Sequence, residues 1–250
     1  MITIALESAQ SLLLEVRGNG QSLGTATGFL VKEKDRTFLI TNRHVVTGRD
    51  QNTGKPIHPS CGIPDEVLIY QNKLRHLAHK VLKRESLFLF DSPRWFEHPA
   101  LGHRADVVAL ELTDTNDVEV YDYSLEDLGP DIFLAPSVMV SVVGFPFGLA
   151  VGETLAVWST GFIASDIEVD YMDLPVFLID CRARKGQSGS PVVAYRAGGP
   201  VPLRNSATAT YPGPVRKFLG IYSGRINAES DLGMVWKPDV IREIVRGVGV

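Results

Sequence analysis

A chain of 250 residues is long enough to bury a sizeable core, and its 44% apolar and 22% charged residues are ordinary for a folded protein, which excludes disorder as the default. With 25 basic against 29 acidic residues the net charge is −4, so nothing global points to wrapping nucleic acid or lying on an anionic membrane. Cys61 and Cys181 are too few for a disulfide framework and are read as reduced thiols; no basic cluster precedes an apolar run at the N-terminus, and the expected location is the cytoplasm.

In chain order, SLLLEVRG (11–18), GTATGFLVK (24–32), RTFLITN (36–42), DEVLIYQ (65–71), LFLFD (87–91) and DVVALEL (106–112) read as short strands. VMVSVVG (138–144), TLAVWSTGFIAS (154–165), PVFLIDC (175–181), SPVVAYR (190–196) and RKFLGIYSG (216–224) continue the series in the second half. Such a run, broken by turn residues, predicts an all-β protein of barrels or sandwiches. The acidic, turn-rich stretch TDTNDVEVYDYSLEDLGP (113–130) divides it, giving an N-terminal barrel over 1–120 and a C-terminal one over 121–250. The uncharged span from Ile132 to Gly152 is interrupted by Pro136, Gly144, Pro146 and Gly148, so it reads as strand and turn and not as a membrane helix.

Two stretches have helical spacing. KPDVIREIVRGVGV sets Val240, Ile241, Ile244, Val245 and Val248 on one stripe behind Pro238, predicting a C-terminal helix over 238–247. NKLRHLAHKVLKRE (72–85) sets Leu74, Leu77, Ala78, Val81 and Leu82 on one face with Lys73, Lys80, Lys83 and Arg84 off it. That spacing predicts a helix with a solvated basic face, a basic strand being the alternative. The glycine- and proline-rich segment 196–217 reads as a long surface loop.

KGQSGSPVV places Ser188 in a tight, small-residue turn. A serine hydroxyl attacks a carbonyl only with a base in reach and a group that holds the base's tautomer. FLITNRHVVTG puts His44 just past an apolar strand, where its side chain can emerge into a cleft. HRADVVALEL puts Asp106 at the head of a buried strand, where a carboxylate needs hydrogen bonds. The other histidines, His58, His76, His79, His98 and His103, lack a cysteine or carboxylate set at ligand spacing, so neither a metal nor any cofactor is expected.

GTATGFLV, FLITNRHVV, DVVALEL, VVGFPFG, STGFI and KGQSGSPVV follow one another in the order and at roughly the intervals of trypsin-like serine proteases, which the chain resembles from about Thr25 to Gly224. The likeness is strongest to the bacterial branch of the high-temperature-requirement proteases and glutamyl endopeptidases. It implies two six-stranded antiparallel β-barrels of chymotrypsin-like fold with a C-terminal helix. It also implies a His44, Asp106, Ser188 triad cleaving peptide bonds through an acyl-enzyme, with the N–H groups of Gly186 and Ser188 as oxyanion hole. Gly186 is where a side chain would hinder that turn. By the same resemblance Ser223 supports Asp106, Arg182 lies at the base of the primary specificity pocket, and Ser223, Gly224 and Arg225 form its wall. An inward-facing arginine would favour an acidic residue before the cut; Asp180 beside Arg182, and Tyr222 where glutamyl endopeptidases carry a histidine, keep a small apolar preference equally open.

Three departures qualify the likeness. Gln187 stands where digestive members carry an aspartate that pairs with a freshly cut N-terminus, so activation by such a cut is not expected. The peptide-binding domain appended to high-temperature-requirement proteases is not expected, and His44 and Asp106 are 62 positions apart, long for the bacterial branch. The partners expected are a protein or peptide substrate and an activating protein acting on the loops at 47–103 or 196–217; nucleic acid and membrane are not. The alternatives are a gated or inactive binding module of protease fold and an esterase on the same scaffold.

Overall fold

The computed structural model describes residues 4–76, 79–126, 130–152, 155–227 and 229–248. A short helix α1 (Leu6–Gln10) leads into strands β1 (Ser11–Gly18), β2 (Gln21–Glu33) and β3 (Arg36–Thr41), followed by helix α2 (Arg43–Thr47). Then come β4 (Glu66–Asn72), β5 (Lys80–Ser86), β6 (Phe88–Leu89), β7 (Ser92–Pro93), β8 (Trp95–Phe96) and β9 (Val108–Glu111). Seven of these form one antiparallel sheet in the order β5-β4-β1-β2-β3-β9-β8. The second series is β10 (Met139–Gly144), β11 (Val157–Ile163), β12 (Val176–Asp180), β13 (Pro191–Arg196), the hairpin β14 (Gly199–Pro202) and β15 (Thr208–Tyr211), β16 (Val215–Arg225) and β17 (Leu232–Trp236). Six of them close into a barrel, β10-β11-β12-β17-β16-β13, and helix α3 (Pro238–Gly247) ends the chain.

The period-2 pattern that marks β1 is also what packs it: Leu12, Leu14 and Val16 turn inward onto Ala26, Leu39, Ile69 and Leu110, while Leu13, Glu15 and Arg17 are only partly covered. A second cluster, with Val140, Val142, Ile179, Val192 and Val235, fills the closed barrel. A third lies between the two sheets and seats α3: Phe29, Phe38, Val143, Phe145, Val193, Ile221 and Trp236 pack with Val240, Ile241, Ile244 and Val245. The all-β class, the closed six-stranded barrel and the terminal helix are those of a chymotrypsin-like fold.

The first sheet differs from a closed six-stranded barrel, because its edge strands β5 and β8 do not pair. Side chains span that seam instead. Glu85, buried on β5, accepts from Thr113 N at 2.6 Å and from Arg94 Nη1 at 3.1 Å, and Lys83 Nζ reaches Asp114 Oδ2 at 2.6 Å.

Residues 80–85, expected as part of a helix, form the strand β5. Its seven-residue ladder with β4 satisfies backbone groups that β4 would otherwise leave open, and this outweighs the helical spacing. Leu77 and Ala78 of the expected apolar face lie outside the described residues. Segment 196–217 is likewise not all loop, since β14 and β15 pair within it. Strand β17 was not legible as an element: Gly233 breaks its short apolar run, and its register comes from β12 and β16 on either side. Among the described residues no helix is long and apolar enough to cross a membrane, and the uncharged span 132–152 contains β10 and a 3-10 turn, Pro146–Gly148. Cys61 and Cys181 are both free thiols.

Candidate active site

A cleft of about 1140 Å³ opens between the two sheets. It is lined from the first by Thr25, His44 and Asp106 and from the second by Gly186, Ser188, Ser223 and Trp236. His44 lies in the first turn of α2, immediately after β3, so the end of that strand delivers its ring to the cleft. Asp106 precedes β9, the strand that pairs with β3, which brings two residues 62 positions apart into contact.

Asp106 is buried, as a carboxylate can be only when its oxygens are occupied. Its Oδ1 accepts the backbone N–H of His44 at 2.9 Å; its Oδ2 faces His44 Nδ1 at 2.7 Å and accepts Ser223 Oγ–H at 2.5 Å. Asn42 Nδ2 donates to the Asp106 carbonyl at 2.7 Å and holds that stretch of backbone from the other side. With Nδ1 donating to the carboxylate, Nε2 is the acceptor, the tautomer a general base requires. Burial disfavours the imidazolium, but the charge and hydrogen bond of Asp106, with the charge of Asp50 beyond them, outweigh it and hold the His44 pKa above the usual histidine value.

Ser188 shares the cleft with His44, and no hydrogen bond joins Ser188 Oγ to His44 Nε2. Such bonds are often unformed in unliganded enzymes and close around substrate. The turn that carries Ser188 is fixed by backbone contacts: Gln187 N–H donates to Arg184 O, Ser190 N–H to Gln187 O, and Gly189 N–H to Tyr222 O. Gln187 is wholly buried, its Oε1 accepting Arg184 N–H at 2.7 Å and its Nε2 donating to Ser159 Oγ at 2.9 Å.

Gly186 has φ +92°, a left-handed conformation, and a Cβ built on it would stand 2.4 Å from Phe145 O. Among the described residues the N–H groups of Gly186 and Ser188 have no protein acceptor, and both residues border the cleft. Two unpaired donors beside a serine hydroxyl make a cradle for a developing negative oxygen.

Of the expected pocket residues, Ser223, Gly224 and Arg225 line the cleft. Arg182 does not: its side chain is 84% exposed and, with Arg184, leans toward Asp231. Its neighbour Ala183 is the one that turns inward and is buried. Sequence reasoning missed Asn42 and Asp50; the first is an ordinary residue ahead of a helix, and the second acts on His44 through a loop fold that no local pattern announces.

A model of the trypsin-like peptidase domain matches residues 26–201. No curated protein matches the sequence. Among solved structures, the chain is similar to the serine endoprotease from Yersinia pestis, at 12% identity over 99% of this chain and 67% of that one, with a TM-score of 0.53. It is similar as well to the thermostable serine protease AL20 from an extremophilic microorganism (10% identity, 97% and 98% covered, TM-score 0.53). Protease Anisep from Arthrobacter nicotinovorans gives 12% identity, 96% and 94% coverage and a TM-score of 0.51. At these identities the likeness is one of fold.

Proposed function

This chain belongs to the trypsin-like peptidase family and is a serine protease, and on that premise we propose that it cuts peptide bonds through an acyl-enzyme on Ser188, with His44 and Asp106 as its partners. The observation that carries the reading is the cleft itself: a histidine whose Nδ1 is 2.7 Å from a buried carboxylate stands across from a serine flanked by two unpaired N–H groups.

As Ser188 Oγ adds to the scissile carbonyl, its proton passes to His44 Nε2, and Asp106 stabilises the imidazolium without taking the proton. The carbonyl oxygen becomes an oxyanion received by the N–H groups of Gly186 and Ser188. When the C–N bond breaks, His44 returns the proton to the leaving amine. Water then repeats the sequence on the acyl-enzyme, giving its proton to His44 and releasing the acid and free Ser188. Ser223 keeps the Asp106 carboxylate oriented, while Gly224 and Arg225 form the wall along which the substrate chain lies, and no cofactor takes part. The target is a protein or peptide.

The test is fluorophosphonate labelling of wild type beside Ser188→Ala and His44→Ala, with turnover on a peptide library. Triad members act as a unit, so either substitution removes on the order of a millionfold in kcat. Wild type that takes the label and cuts small esters but no peptide is an esterase, and wild type that takes no label even in its full-length, unfractionated host extract is a binding module; either result overturns the reading.

A further inference from the structure

An oxyanion hole works only if its donors point the right way, and a peptide N–H points opposite to the C=O of the same planar unit. What orients Gly186 N–H is therefore whatever holds the Lys185 carbonyl, and what orients the next unit is whatever holds the Gly186 carbonyl. Both holders are visible, and neither belongs to the turn itself. Lys185 O accepts Phe147 N–H at 2.6 Å. Gly186 O accepts the hydroxyl of Thr27 at 2.8 Å, and the same Thr27 Oγ1 accepts Phe145 N–H at 3.1 Å.

We infer that Thr27 is a positioning residue for catalysis: its one hydroxyl, on strand β2 of the first sheet, fixes the Gly186–Gln187 peptide unit and ties it to the Phe145–Gly148 turn, whose Phe147 N–H on Lys185 O keeps Gly186 N–H facing the substrate. This rests on the proposed peptidase reading. The side chain is fully buried and does not touch the cleft's reacting atoms, so its effect passes through Gly186.

Three further features agree. The backbone of Thr27 engages the same turn, its N–H donating to Ser188 O at 2.9 Å, and its carbonyl accepts Thr41 Oγ1 at 2.9 Å, which fixes β2 at that point. With Lys185 O held by Phe147 N–H and Gln187 O by Ser190 N–H, the N–H groups on the far side of those two peptide units, Gly186 and Ser188, which have no acceptor among the described residues, are left to the cleft. The space is also closed around the hydroxyl, since a Cβ built on Gly144 would lie 2.8 Å from Thr27 Oγ1. Finally, Phe147 holds its N–H on Lys185 O from a left-handed conformation, φ 56° and ψ 22°, and the residue is exposed at the cleft. A phenylalanine kept there is a local strain that surrounding contacts must sustain, and such strain clusters at functional sites.

Losing the hydroxyl leaves a buried C=O and a buried N–H without partners, and the turn between them rearranges. Displacing a group in an active site by an ångström costs about a hundredfold, so Thr27→Val should lose about ten- to a hundredfold in kcat while KM stays within about twofold. Thr27→Ser keeps the hydroxyl and should stay within about threefold of wild type. The affinity of a peptide aldehyde should fall in parallel with kcat, because Ser188 Oγ adds to its carbon and the resulting hemiacetal oxygen occupies the hole. Should the valine variant not fold, Thr27→Ala against Thr27→Ser reads the same contrast with a smaller side chain.

Equal kcat and aldehyde affinity in the hydroxyl-free and hydroxyl-bearing variants would overturn the inference, as would a loss shared by Thr27→Ser. If wild type itself takes no fluorophosphonate, it is the peptidase reading that has failed, which separates the two.

Discussion

Replacing Gly186 by alanine puts the account of the oxyanion hole under the most direct strain. At φ +92° an L-residue meets a cost of about 1–2 kcal/mol, and the added methyl would sit 2.4 Å from Phe145 O and 3.0 Å from Phe147 N. Backbone cannot yield as the end of a side chain can, so the turn must rotate away from the Phe145–Gly148 turn, at a further cost of about 1–3 kcal/mol. In a chain of this length about 2–5 kcal/mol lowers the melting temperature by roughly 4–20 °C. The rotation swings the N–H of residue 186 out of the cleft, and losing one such donor costs about a hundred- to a thousandfold in kcat. Substrate still lies along Gly224 and Arg225, so KM should change little. Rates of fluorophosphonate acylation, kcat and KM on one peptide, and a melting curve measure all three effects. A variant that melts lower yet acylates within about threefold of wild type refutes the reasoning, because the strain would then be real and the donor irrelevant.

The proposed mechanism needs neutral His44, whose pKa lies above the ordinary histidine value, so kcat/KM should fall as pH drops through a point above about 6.5. Asp50→Asn removes one of the charges that raise it and should move that limb to lower pH; an unmoved limb refutes the coupling. Glu85→Ala leaves Arg94 and Thr113 N–H without their buried partner and should cost about 3–5 kcal/mol in denaturant unfolding, with kcat of the folded fraction unchanged. Gln187→Glu puts a carboxyl in a wholly buried site, so its ionisation should loosen the turn, and activity relative to wild type should decline between about pH 5 and 8; a constant ratio speaks against the buttress.

Period alone was enough to read β1 and α3 to their ends, because each buries one face against a single neighbouring layer and its sequence alternates accordingly. It misled at β5, where side chains of both characters occur at helical intervals but the open edge of β4 decides the outcome. It was silent at β17, whose pairing with β12 and β16 replaces any pattern of its own. Among the residues of the proposed site, His44, Asp106 and Ser188 stood out in the sequence because each sits in a short run of characteristic neighbours, and the structure sets all three along one cleft. Arg182 was assigned by counting back from Ser188, and counting gives a position along the chain, not a direction. One residue later the chain turns Ala183 into the interior and leaves Arg182 in solvent. Thr27 had no signal at all, as its hydrogen bonds run to residues 159 and 118 positions away.

Two uncharged side chains brace the turn around Ser188: the amide of Gln187 spans Arg184 N–H and Ser159 Oγ, and the hydroxyl of Thr27 spans Gly186 O and Phe145 N–H. Neither group titrates near neutral pH, so the hole keeps its shape across the range in which His44 changes charge. The acid limb of the rate profile therefore reports His44 and not collapse of the turn. The same hydrogen bonds come entirely from this chain. What the cleft leaves unmade is the bond between His44 and Ser188, one residue on α2 and the other on the barrel, with Thr27 joining the two sheets beside them. Control of activity by a partner would thus act on the approach of the sheets, and it would appear as a change in acylation rate shared by every substrate, with no change in which residue precedes the cut.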